Sequence, residues 1–235
     1  MQLSKLEWKA YNILKKNGLI IFKTKDLKLL LNVKKIKVYN IIKALKNKKA
    51  IETIKGGLYA LKGANELVIG SHLNWPSYIS FWSAMSYYGF TDQLPKTLFY
   101  ATTKYRKKIK NYKYVAISQK RFFGYTKVGD ITIAEKEKAV IDSLLFPKYC
   151  GGIKELINCI KSAINELDKN KLLNYAVKVN SKAVLRRLGF ILELIGCKET
   201  IKKIGKGYEL LDPSLKRRNN LNKRWLLDIN DDIDR

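Results

Sequence analysis

The chain has 235 residues, 46% of them hydrophobic and 11% aromatic, which is enough for two modest domains with packed cores and excludes a disordered basic tail. Its 47 Lys and Arg against 20 Asp and Glu leave a formal charge of +27, so any polyanion is attracted at low salt. No run approaches the ~20 apolar residues that cross a bilayer, and the first residues form a charged amphipathic segment rather than a signal peptide, so no membrane association and a cytoplasmic location are expected.

Lysine dominates the bases, 39 against 8 Arg, and a genome rich in A·T inflates Lys, Asn and Ile whatever the function. The distribution of charge is therefore more informative than its sum. Residues 1–62 hold sixteen Lys and no Arg against Glu7, Asp26 and Glu52, so about a quarter of the chain supplies +13. Within it Leu3, Leu6, Ala10, Ile13 and Leu14 recur with the period of one buried helix face, ending near Gly18. Thr24 offers a hydroxyl cap for a second helix, with Asp26 in its first turn and Leu27, Leu30 and Leu31 on its apolar side. Asn32-Val33-Lys34 turns into a third helix whose inward stripe is Val38, Ile41, Ile42 and Leu45. Two strands then flank Gly56-Gly57, a turn that tolerates positive φ. Helix, helix, helix, hairpin is the order of a winged helix-turn-helix.

Packing on that stripe leaves Ile36, Tyr39, Asn40, Lys43 and Asn47 facing outward, with Lys34, Lys35 and Lys37 around the start of the helix and Lys46 near its end. Ile36, Lys37 and Asn40 lie where a recognition helix meets base edges, and Lys43 and Lys46 where it meets phosphate. Asn40 can pair bidentately with adenine and Ile36 can rest on a thymine methyl, so an A·T-containing half-site in double-stranded DNA is expected. Lys55, Gly56 and Gly57 of the wing add a phosphate or minor-groove contact. With no leucine heptad in view, a monomer on each operator repeat is the expectation.

The expected fold class is α+β, with residues 1–63 as the winged helix and residues 64–235 as a larger mixed domain, divided at Gly63-Ala64. The second domain should open with a helix over residues 77–88, started by Pro76 and stopped by Gly89. Segments 97–103, 112–118, 122–127 and 130–134 are rich in Tyr, Phe, Val, Ile and Thr and predict a small antiparallel sheet. Helical periodicity returns from Glu135 and predicts a C-terminal bundle with helices over 153–167, 171–179 and 182–195. Arg186 and Arg187 interrupt the most apolar of these, where an isolated charge is costly, and Asp142 is their expected ion-pair partner. The alternative role for Arg187 is to present its guanidinium to a nucleotide, RNA or toxin phosphate.

Three segments carry a resemblance. Pro76-Ser77-Tyr78-Ile79-Ser80 with Ser83-Ala84 and Tyr88-Gly89-Phe90-Thr91-Asp92-Gln93-Leu94-Pro95 comes first. Glu137-Lys138-Ala139-Val140-Ile141-Asp142-Ser143-Leu144 with Gly151-Gly152 follows, then Leu185-Arg186-Arg187-Leu188-Gly189-Phe190-Ile191-Leu192. In this order, behind a winged helix, they resemble the AbiEi antitoxin family over nearly the whole chain up to about Gly196. The resemblance implies a regulator that represses its own operon through operator repeats. It also implies a C-terminal domain that opposes a nucleotidyltransferase toxin in type IV phage-defence systems, without a stable complex. The chain departs from that pattern in its lysine bias and in its tail, where Lys216-Arg217-Arg218 and Lys223-Arg224-Trp225 precede Asp231-Asp232-Ile233-Asp234.

A solitary regulator descended from such a pair, without a toxin beside it, is equally compatible with this sequence. Other classes compete less well: an architectural chromatin or RNA binder fits the same charge. Asp130, Glu135, Glu137 and Lys138 bear a faint likeness to a metal-dependent nuclease, but acids opening a helix are explained by the macrodipole. His72 is the only histidine, and Cys150, Cys159 and Cys197 lack a C-x-x-C pair, so no disulfide framework, metal or cofactor is expected. The protein should not be an enzyme.

Overall fold

Ser4 opens the first helix, α1 (Lys5–Lys16), in a computed structural model that describes residues 2–197 and 205–233. The chain divides into two compact units, Met1–Leu73 and Asn74–Arg235. In the first, Ser4 and Glu7 form a capping box: the Glu7 carboxylate accepts from the Ser4 N–H at 2.7 Å, and the Ser4 hydroxyl accepts from the Glu7 N–H. The same carboxylate holds Lys48 Nζ at 2.6 Å, just past α3 (Lys35–Asn47), tying the start of one helix to the end of another. Ala10 and Leu14 of α1 are buried with Leu27, Val38, Ile41, Ile42 and Leu45, and Leu3, Leu6 and Ile13 pack around them. Each fully buried aliphatic side chain in this cluster stabilises the unit by about 1.5–3 kcal/mol.

A short strand absent from the sequence prediction, β1 (Ile21–Lys23), precedes α2 (Thr24–Leu31). It joins β2 (Ile51–Lys55) and β3 (Leu58–Leu61) in a sheet of order β1-β3-β2, with Ile21 opposite Ala60 and Glu52 opposite the same residue on the other side. The strand displaces the expected cap. Lys23 ends extended at the N-cap and Thr24 becomes the first helical residue, while Asp26 reaches back to accept from the Lys23 N–H at 2.7 Å. Asn32, in the left-handed region at φ 50°, closes α2 and starts the turn into α3. Helix α4 (Glu66–Leu73) completes the first unit, so the compact division falls at its end rather than at Gly63-Ala64.

The second unit is built on a six-stranded sheet of order β6-β7-β5-β4-β9-β8. Its strands are β4 (Ser77–Ile79), β5 (Leu98–Thr102), β6 (Lys107–Ile109), β7 (Tyr112–Ala116), β8 (Tyr125–Val128) and β9 (Ile131–Ala134). This corrects the expectation of a small antiparallel sheet: β5 runs parallel to β7 and β4 parallel to β9. It also corrects the helix over 77–88, because Ser77, Tyr78 and Ile79 are an interior strand, buried in turn, and the helix α5 is only Phe81–Tyr87. An aromatic followed by a β-branched residue suits a strand buried on both faces, and its three residues are too few to show alternation.

Helix α6 (Lys136–Leu145) is the hub of this unit, buried from Glu137 to Leu144 and packed against α5, α7 (Ile153–Ala163), α8 (Lys169–Lys178) and α9 (Lys182–Leu194). The C-terminal segment belongs to the fold and is not a solvated tail. Strands β10 (Glu209–Leu210), β11 (Leu221–Asn222) and β12 (Leu227–Asp228) form a second sheet of order β10-β12-β11. Trp225 lies against Gly189 of α9, and Asp212 caps α7 by accepting the Ile153 N–H at 2.9 Å. Asp234, at the acidic end, is outside the described residues.

Candidate nucleic-acid interface

The outward side of α3 follows from its inward one. With Val38, Ile41, Ile42 and Leu45 sealed in the core, Lys35, Ile36, Lys37, Tyr39, Asn40, Lys43, Lys46 and Asn47 are all exposed, as is Lys34 at the N-cap. Ile36 is 76% exposed, an unusual position for an isoleucine unless it meets an apolar group such as a thymine methyl. Lys35 Nζ stands 5.7 Å over the Tyr39 ring, one turn on, which fixes the ring at the edge of the face. The first turn carries no acidic side chain and its N-cap makes no side-chain hydrogen bond, so the positive end of the helix dipole meets no neutralising group of its own helix.

Tyr39, Asn40, Lys43, Lys46 and Asn47 border a shallow depression closed on its far side by Tyr59 of β3. Tyr59 is the residue that sequence reasoning missed here. Its ring packs on Phe22 of β1 at 5.7 Å, a contact invisible without the short strand that sequence also missed. At the hairpin tip Lys55 pairs with Leu58 across Gly56 and Gly57, with Gly57 at φ 75° and open space around both glycines. So tight a turn leaves Lys55 and the turn amides at the tip of the hairpin.

The second-unit residues behave differently from expectation. Asp142 does not pair with Arg186 or Arg187. Its carboxylate is engaged by Lys138 Nζ one turn before it on α6, by the Tyr78 hydroxyl at 2.9 Å and by the Ser80 hydroxyl at 2.8 Å, all four residues being sealed from solvent. Burial, and after it the neighbouring Asp142 charge, push the Tyr78 hydroxyl well above its ordinary range. Sequence reasoning passed over this i,i+4 Lys–Asp pair, although its spacing was visible.

Arg186 and Arg187 stitch the C-terminal segment to α9 through backbone carbonyls. Arg186 donates to the carbonyls of Gly205 and Gly207, and Arg187 to Leu144 at 2.8 Å and twice to Leu210. Desolvation lowers the Arg187 guanidinium to about 10, against the opposing influence of Glu209 and Asp212.

The acids of the nuclease-like arrangement are committed elsewhere. Glu135 and Glu137 share Lys171, each at 3.3 Å. Glu137 also accepts the Asp168 N–H, Glu135 the Tyr175 hydroxyl, and Asp130 is exposed in the β8–β9 turn. Among the described residues no group of three His, Cys, Asp or Glu is placed to hold a metal ion. His72 is exposed, with Nδ1 3.0 Å from the Val68 carbonyl one turn back. Cys150 and Cys159 are buried free thiols, and their proximity together with burial raises the Cys150 thiol.

No family model matches the chain, and no curated protein matches it. Among solved structures, the RV2827C protein from Mycobacterium tuberculosis is similar, with a TM-score of 0.69 over 96% of this chain and 92% of that one at 9% identity. At that identity the likeness speaks to fold alone, and the fold of this chain is α+β.

Proposed function

We propose that the chain is a sequence-specific DNA-binding transcriptional regulator that lays α3 in the major groove and sets the Gly56-Gly57 wing against the backbone. The observation that supports this reading best is the outward side of α3, where a continuous run of exposed Lys and Asn surrounds Ile36 and Asn40 without an intervening acid. Ile36, Lys37 and Asn40 read base edges, Lys34, Lys35, Lys43, Lys46 and Lys55 meet phosphate, and Tyr39 and Asn47 border the face. Selection from random duplexes tests it directly. The enriched site should contain A·T pairs and be preferred over random duplex by ~10³ or more. G·C-rich winners would remove the assigned roles of Asn40 and Ile36, and a nearly flat preference would make the chain an architectural binder.

The three segments that resemble AbiEi antitoxins support a second part of the reading: repression of its own operon, and opposition to a nucleotidyltransferase toxin without a stable complex. Such a regulator works in the cytoplasm, and no helix among the described residues is long and apolar enough to cross a membrane. Co-expression of the chain with a toxin encoded beside it should restore growth, and the chain lacking residues 74–235 should not restore it. Rescue by the first unit alone would refute a role for the second in neutralisation.

A further inference from the structure

Arg187 is a buried cation that has carbonyl partners and no carboxylate within ion-pair distance among the described residues. Three donations satisfy part of its hydrogen-bonding capacity, but a guanidinium has five N–H groups and a full charge, and with Glu209 and Asp212 acting only from beyond ion-pair distance that charge has no direct counter-ion among the described residues. The side chain forms part of the lining of a cleft of about 310 Å³ in the second unit. Arg106 and Lys148 stand on the same cleft, both exposed. Neither makes an ion pair among the described residues: Arg106 lies over the Phe146 ring at 6.0 Å and Lys148 over Tyr149 at 5.2 Å. The remaining walls are largely apolar, from Leu145, Phe146, Ala183 and Pro213.

Three groups act against an anion there, the first being the Glu209 carboxylate, whose influence on Arg187 exceeds that of Asp212. The Leu144 carbonyl lies at the negative end of α6, but Arg187 already donates to it. Asp212 is buried nearby, with its charge spread over donations from the Ile153 N–H and from the Ser214 N–H and hydroxyl. What remains is a pocket lined by three cations and largely apolar side chains, of a volume that suits one small ligand.

We propose that this cleft binds a nucleoside phosphate, with the phosphate between Arg106, Lys148 and Arg187 and the base or sugar against Phe146 and Pro213. The terminal phosphate comes either from a free nucleotide or from the 5′ end of a strand. The site is lined by residues of the second unit alone, so it stands or falls independently of DNA recognition by the first unit.

Titration calorimetry of the full chain with ATP, and with a short oligonucleotide carrying either a 5′-phosphate or a 5′-hydroxyl, tests the site. At least one phosphorylated probe should bind, and Arg106→Ala/Lys148→Ala, two surface changes, should weaken it at least tenfold. Lys37→Ala/Lys43→Ala on α3 should leave that affinity within twofold. Tighter binding of the 5′-phosphorylated strand than of its hydroxyl form names a strand end as the source, and binding of ATP names a free nucleotide. The site is refuted if neither phosphorylated probe binds at about 1 mM. It is equally refuted if binding survives the double change in the cleft, or disappears with the changes on α3.

Discussion

Replacing Gly189 by Ala should loosen the C-terminal segment, against the usual direction of a glycine-to-alanine change in a helix. In the interior of α9 the added methyl gains about 1 kcal/mol of helix propensity. Yet a Cβ built at Gly189 falls 2.0 Å from Cζ3 of Trp225 and 2.3 Å from Cη2, distances at which one of the two must leave. Trp225 is the part that yields, because α9 is buried from Val184 to Gly189 and again at Ile191 and Leu192, and cannot shift without disturbing the unit. Trp225 is itself 6% exposed, and expelling a buried Trp costs on the order of 3–5 kcal/mol. The net loss is therefore about 2–4 kcal/mol. Equilibrium urea unfolding followed by tryptophan fluorescence gives the magnitude. A Gly189→Ala/Trp225→Ala double variant should be no less stable than Trp225→Ala alone, since the clash has gone and the propensity gain remains. A Gly189→Ala protein as stable as the parent, with its fluorescence unchanged, would show that Trp225 does not rest on this glycine.

Three other outcomes follow from the same geometry. Lys138→Met leaves the Asp142 carboxylate buried with only two hydroxyl donors, which should cost about 3–5 kcal/mol in denaturant unfolding, whereas Lys138→Met/Asp142→Leu should recover most of it. Lys43→Ala should flatten the slope of log affinity against log salt by about 0.9 on any duplex, operator or random, as a phosphate contact requires. Glu7 is held below its ordinary 4.5, first by the Lys48 hydrogen bond and then by the Ser4 N–H, so its contribution is present above that value and is lost as pH falls through the lowered folded-state value. The stability difference between the parent and Lys48→Met, measured by thermal unfolding from neutral to strongly acidic pH, should accordingly shrink on the acid side.

The candidate interface was largely legible because an amphipathic helix defines two faces at once. Val38, Ile41, Ile42 and Leu45 fall on one stripe, and their burial leaves Ile36, Asn40 and Lys43 outside by geometry alone. Tyr59 was not legible, since its place beside that face depends on β3 being flanked by β1, and Ile21-Phe22-Lys23 is too short to carry a period. The mixed sheet escaped for a related reason. Hairpins announce themselves through turns, as Gly56-Gly57 does, whereas the parallel pairing of β4 with β9 joins residues as far apart as Ile79 and Ile133 and leaves no local mark.

The second unit shows the limit for charged residues. A buried Arg prompts a search for Asp or Glu, and Asp142 was the nearest acid on an apolar helix. The acceptors that Arg186 and Arg187 use include main-chain carbonyls at 205, 206, 207 and 226 and at 144 and 210, and every residue type carries one, so no side-chain pattern points to them. The partner of Asp142 was within reach, because Lys138 lies four residues earlier and i,i+4 is the spacing of neighbours on a helix. It was passed over because the charges that open this helix have a ready explanation in the macrodipole. What decides between the two is whether the first turn of α6 is covered. Its cover comes from Tyr78 and Phe123, in segments placed over it by the sheet, with the Phe123 ring 5.0 Å from Lys138 Nζ. Fold-level pairing therefore decides the environment of these charges, and the charges in turn select Tyr78 and Ser80 as the hydroxyls that lock β4 and its exit onto α6.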